Sequence, residues 1–158
     1  MKCKRRRAIF TVWIAGVCLG AYALGGARSA ILRAEVPPDD LSPAEQEAIR
    51  QVIRSQIEAF QRDDAAAAFA LASPGIQRNF GTAENFLWMV RTSYQAVYRP
   101  RRYRFLKLAL VDEVWVQKVI VIGPDGLAVM ALYPMVKLHD GAWRTDGCAL
   151  LPLEAKDA

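Results

Sequence analysis

Cysteine and histidine are almost missing from this chain. Of 158 residues, three are cysteine and one is histidine, and Cys3 and Cys18 both fall in the first thirty positions. Cys148 stands alone in the remainder, so no internal disulfide can staple it and its stability must come from packing. With His139 and Cys148 as the only imidazole and thiol beyond residue 30, a His- or Cys-based metal cluster cannot be assembled. A Ser-His-Asp triad would have to use His139, which sits in a turn before Asp140-Gly141. No Gly-rich phosphate loop is present. Neither a metal nor a cofactor is expected, and Cys148 itself reads as a small buried hydrophobe.

Acid is also absent from residues 1–29, which hold Lys2, Lys4, Arg5, Arg6, Arg7 and Arg28. The formal charge of +5 over the chain comes from there: removing these six from 21 basic residues leaves 15 against 16 acids. The remaining body is near neutral and lacks the concentrated basic surface that nucleic acid requires. It is long enough for one domain with one core.

The first thirty residues have the layout of an export signal. A basic head precedes an apolar run from Ala8 to Leu24, and small residues lead to Ala27-Arg28-Ser29-Ala30, with cleavage expected after Ser29. The run sits at the lower limit of about 17 residues for a spanning helix. The alternative is therefore an inner-membrane anchor through residues 8–27. In either case the basic head stays cytoplasmic and the domain lies on the far side, periplasmic or secreted. Residues 30–41, with Pro37-Pro38, read as a linker. Residues 42–152 read as one α+β domain, followed by a short tail, 153–158.

Ser42-Pro43-Ala44-Glu45 opens a helix as a capping box with proline in its first turn. Ile49, Val52, Ile53, Ile57 and Phe60 then form one apolar stripe. Asp63-Asp64 ends this helix and caps the next, Ala65 to Leu71. Ser73-Pro74-Gly75 starts a short helical turn. Thr82 starts another helix whose expected buried residues are Phe86, Leu87, Met89, Val90 and Tyr94. After Pro100 the texture changes to Val, Leu, Ile, Trp and Tyr over 103–111, 114–122, 127–138 and 142–151. Asp112-Glu113, Gly123-Pro124-Asp125-Gly126 and His139-Asp140-Gly141 mark the reversals between them. Helices first and an antiparallel meander second predict an α+β fold. Val119 to Ile122 and Leu127 to Leu132 are apolar at successive positions, so both sheet faces should be covered. The helices cover one; a second copy of the chain, or the far wall of a curled sheet, would cover the other.

The stretch from Ser42 to Leu150 resembles a bacterial domain-of-unknown-function family, numbered 4864. The likeness rests on Ile57-Glu58-Ala59-Phe60 with Asp63-Asp64, Ala68-Phe69-Ala70-Leu71-Ala72-Ser73-Pro74-Gly75, Phe86-Leu87-Trp88-Met89-Val90, Val97-Tyr98-Arg99-Pro100-Arg101 and Trp143-Arg144-Thr145-Asp146-Gly147-Cys148. The layout is more broadly similar to the nuclear transport factor 2-like superfamily. That resemblance implies helices packed into the hollow of a curved antiparallel sheet of four or more strands, often leaving a pocket. The superfamily holds isomerases, dehydratases, hydrolases and pure binding modules, so the fold implies no single function.

The hollow implied by that layout would lie between Phe60, Phe86, Val90 and Tyr94 on the helices and Tyr133 and Trp143 on the sheet. Trp88, Trp115 and Trp143 read as core or pocket wall. A metal-free isomerase or hydrolase would need an acid and a tyrosine directed inward. Tyr94, Tyr98, Tyr103 and Tyr133 supply hydroxyls. Asp146, however, alternates with Trp143 and Thr145 and so shares the wet face with Arg144. Arg99, Arg101, Arg102 and Arg104 form the densest charged segment, suited either to an anionic ligand or headgroup or to a charged edge strand. The sequence thus points to a binding or interaction module for a small apolar or anionic ligand, with a pocket enzyme as the alternative.

Overall fold

A computed structural model describes residues 41–153 of the chain. The expected signal or anchor, nearly all of the linker and nearly all of the tail lie outside the described residues. Five helices precede five strands: α1 Pro43–Gln61, α2 Ala65–Ala70, α3 Pro74–Phe80, α4 Ala83–Ser93 and α5 Gln95–Tyr98, then β1 Arg102–Val111, β2 Val114–Ile122, β3 Ala128–Lys137, β4 Trp143–Thr145 and β5 Ala149–Pro152.

Local chemistry sets the helix starts. The Ser42 side chain accepts from the Glu45 amide at 3.3 Å, and the Glu45 carboxylate accepts from the Ser42 amide at 3.3 Å, closing the capping box. Asp64, Ser73 and Thr82 cap α2, α3 and α4 in the same way, each accepting from an amide three residues on. Glu45 also receives Lys137 from β3 at 2.7 Å. That hydrogen bond, with those from Ser42, holds its carboxyl below the usual range.

Four strands run antiparallel in the order β1-β2-β3-β4, and β5 returns to pair with β3. The sequence reading made one strand of 142–151. The chain instead breaks at Asp146-Gly147-Cys148, so that β4 meets Met135–Lys137 and β5 meets Val129–Leu132. Gly147 carries φ 129°, a backbone state that side chains oppose and that interrupts the strand. The segment before α3 closes onto β4: the Ser73 amide donates to the Thr145 carbonyl at 2.8 Å and the Thr145 amide to Leu71 at 3.0 Å. The helix reading also differs at Tyr94, where α4 stops and a separate turn of helix, α5, follows.

The core lies between α1 and one face of the sheet. Ile49, Ile53, Ile57 and Phe60 on α1 are buried with Val119, Val121, Ala131, Tyr133 and Met135, each large side chain contributing about 1.5–3 kcal/mol on burial. Gln117 is buried among them at a bulge between Phe105 and Leu108. Its amide donates to the Leu106 and Lys118 carbonyls at 2.8 Å each, in part replacing the ladder bonds that a bulge leaves unmade.

The register places Arg104, Ile120, Met130 and Leu151 side by side on the other sheet face, with Arg102, Ile122 and Ala128 in the next row. No described helix or strand covers this face. Its apolar centre is half-exposed. Arg102, Arg104, Lys118 and Arg144 share that face by register, and among the described residues none of them forms an ion pair. The exposed Asp112-Glu113 turn stands at the opposite end of β1 from Arg102 and Arg104.

Candidate functional site: an apolar cavity between helices and sheet

A cavity of about 250 Å³ opens between the helices and β3, β4 and the break that follows β4. α1 supplies Gln56 and Phe60, α3 supplies Ile76 and Phe80, and α4 supplies Phe86, Met89 and Val90. These positions recur at helical spacing, which turns each set to one side of its helix. Phe86 stands at the centre of an aromatic group, its ring 5.9 Å from Phe60, 5.6 Å from Phe69 and 5.5 Å from Phe80. Tyr94 and Val97 close one side; Tyr133, Thr145, Gly147 and Cys148 form the sheet wall.

Among the described residues, no Asp, Glu, Lys, Arg or His lines this space. Gln56 and Thr145 are already engaged, donating to the Ala68 carbonyl at 3.0 Å and the Leu71 carbonyl at 3.3 Å. The Tyr133 hydroxyl is different. Its residue is 1% exposed, and the oxygen has no hydrogen-bond partner. The Cys148 thiol lies beside it, a weak acceptor that does not reach hydrogen-bonding geometry. Burial pushes the Cys148 thiol up to about 12 and raises Tyr133 well above the ordinary phenol value. Both groups therefore keep their protons at neutral pH, as donors rather than as base or nucleophile.

Five of the residues expected to form a pocket, Phe60, Phe86, Val90, Tyr94 and Tyr133, meet here. Trp143 does not. It faces a separate shallow groove with Leu41, Glu45, Trp115 and Lys137, its ring 5.8 Å from the Lys137 ammonium. Trp88, expected in core or wall, is 69% exposed on α4, because Phe86 and Val90 occupy the helix's inner face. The cavity residues that the sequence reading missed include Gln56, Ile76, Phe80, Thr145 and Cys148. Gln56 carried a signal, as a polar residue lying within the apolar stripe of α1.

The four arginines do not converge. Arg99 pairs with Asp63 at 2.7 Å and bonds the Gln61 carbonyl. Asp63 also receives the Tyr98 hydroxyl. That bond first, and Arg99 after it, hold the Asp63 carboxyl below its usual range. Arg101 holds the Pro124 carbonyl of the β2–β3 turn. Arg102 and Arg104 turn to the outer sheet face. Asp146 is exposed and accepts from the Ser73 hydroxyl; it follows the end of β4, so strand alternation does not set its direction. Among the described residues, no group of three or more His, Cys, Asp or Glu is placed to hold a metal ion.

These features define an α+β domain whose helices and sheet enclose an uncharged cavity. The chain belongs to the family described as domain of unknown function DUF4864, whose model matches residues 42–158. Among solved structures it is similar to an NTF-2-like protein of unknown function from Burkholderia xenovorans LB400, at 15% identity and a TM-score of 0.41, over 70% of this chain and 88% of that one. At that score the overlay is loose and bears on neither ligand nor activity. No functionally curated protein matches the sequence.

Proposed function

We propose that this protein is an exported small-ligand-binding module of the bacterial cell envelope, with the cavity between α1, α3, α4 and the sheet as its site and the nuclear transport factor 2-like cone as its shape. The observation that carries this reading is a 250 Å³ apolar space bounded by four elements. Core packing normally leaves few voids larger than a water molecule, and a cavity of about 150 Å³ already admits benzene. Absence of a carboxylate, imidazole or ammonium from the lining favours binding over acid–base chemistry. Export rests on the basic and apolar head of the chain. Among the described residues no helix is long and apolar enough to cross a membrane.

Native mass spectrometry of the protein purified from an exporting host tests all parts at once. A retained small molecule supports the site, and a mass lacking residues 1–29 supports cleavage. A ligand-free protein that also fails to take up any apolar probe would overturn the binding reading.

A second reading concerns the outer sheet face, which we propose pairs with a second copy of the chain. Charge polarity along β1 favours it. A two-fold axis across the strands lays Arg102 and Arg104 of one copy over Asp112-Glu113 of the other, twice, around the apolar centre. Sedimentation showing a strict monomer at high concentration, or a dimer unaffected by Ile120→Glu, would remove this pairing.

A further inference from the structure

The cavity has one buried donor with nothing to bind. Of the polar side chains on its wall, Gln56 and Thr145 donate to backbone carbonyls, Tyr94 is half-exposed and Cys148 is a weak thiol, while the Tyr133 hydroxyl is buried and unpartnered. A hydroxyl left without a partner in a low-dielectric site is a cost that a ligand acceptor recovers on binding. Among the described residues the lining also contains no charged side chain, so a carboxylate or ammonium carried into it would lose its hydration without gaining a counter-ion.

Size and shape narrow the ligand further. A space of 250 Å³, set against the roughly 150 Å³ that holds benzene, fits a bicyclic body. The rings of Phe60, Phe80 and Phe86 are mutually tilted rather than stacked flat, with interplanar angles of 43° and 69° about Phe86. They thus offer both faces and edges to a second aromatic system. Cys148 lies beside the Tyr133 hydroxyl on the same wall as a weak partner that turns about a single torsion, so a stronger acceptor on a ligand can take its place.

Resting on the binding reading above, we propose that the cavity takes an uncharged apolar molecule of bicyclic size carrying one hydrogen-bond acceptor, seated with that acceptor on the Tyr133 hydroxyl. The apolar body fills the aromatic group and the acceptor lies at the inner, sheet-side end. The site therefore discriminates on two grounds, rejecting charge and selecting a carbonyl-like oxygen.

Three probes of nearly equal size separate the claims: naphthalene, 2-acetylnaphthalene and 2-naphthoate, titrated by fluorescence at pH 7.5 into the wild-type protein and Tyr133→Phe. The ketone should bind about 5–10-fold tighter than naphthalene, the worth of one net hydrogen bond. Naphthoate should bind at least about tenfold more weakly than the ketone. In Tyr133→Phe the preference for the ketone over naphthalene should vanish, with circular dichroism reporting that the variant is folded. Naphthalene binding without ketone preference in the wild type overturns this inference and leaves the pocket standing. A ketone preference that survives Tyr133→Phe overturns the role of the hydroxyl, and naphthoate binding best overturns the neutral ligand. Failure of all three to bind overturns the pocket itself.

Discussion

Filling the cavity from one of its own walls should stabilise the protein and empty it of function. Val90 lies on the inner face of α4, 5% exposed, and lines the space beside Phe86. In Val90→Phe the helix propensities of the two residues nearly cancel, so the change acts through packing. Phenylalanine exceeds valine by about 50 Å³, and refilling void at about 24 cal/mol per Å³ gives about 1.2 kcal/mol of stabilisation. For a domain of this size that is a rise in Tm of about 4–6 °C. Urea unfolding followed by tryptophan fluorescence measures the first quantity, differential scanning calorimetry the second, and naphthalene titration the expected loss of binding. An overpacked site would instead lose about 1–3 kcal/mol. A destabilised Val90→Phe would therefore refute the existence of 250 Å³ of usable space at this wall. A stabilised variant that still binds naphthalene would place the binding elsewhere.

Other consequences are equally direct. Cys148, with its thiol pushed up to about 12, should resist Ellman's reagent at pH 8 for hours in the folded protein and react within minutes in urea; fast reaction in the native state would contradict its burial. Asp112 and Glu113 both hold positive φ, 46° and 65°, in the two-residue turn between β1 and β2. Replacing the pair by Asn-Gly should raise stability by about 1 kcal/mol in urea unfolding, since that pair adopts the turn with little strain. The Asp63 carboxyl is held low by Tyr98 and Arg99. A depressed folded value contributes stability above the unfolded value near about 3.9, lost as pH falls through the folded one. Asp63→Asn should therefore be less stable than wild type at pH 6, with the gap closing below about pH 4; a constant gap across that range would show that the carboxylate's charge contributes nothing.

The sequence by itself determined the parts of this protein whose causes are local. Ser42, Asp64, Ser73 and Thr82 start helices because a side-chain oxygen reaches an amide three residues on, a contact that needs no tertiary partner. Gly123 to Gly126 reverses the chain for a similarly local reason, whereas Asp112-Glu113 is held at positive φ against its local preference; the order of these reversals after the helices was enough for an α+β fold. The family was legible as well, because those local strings span most of the domain. The arginine segment was half legible: alternation alone puts Arg102 and Arg104 on one face and Arg101 on the other. Only tertiary structure decided the rest. The cavity joins Gln56 to Cys148, side chains far apart in sequence that meet because α1 packs against β4 and Cys148 follows β4 in the break before β5. Trp143 leaves that group, and Trp88 is turned outward, because Phe86 and Val90 already fill the inner face of α4. The unpartnered state of the Tyr133 hydroxyl has no sequence signature at all, since a tyrosine reads the same whether its oxygen meets a carbonyl, a solvent molecule or, as here, nothing.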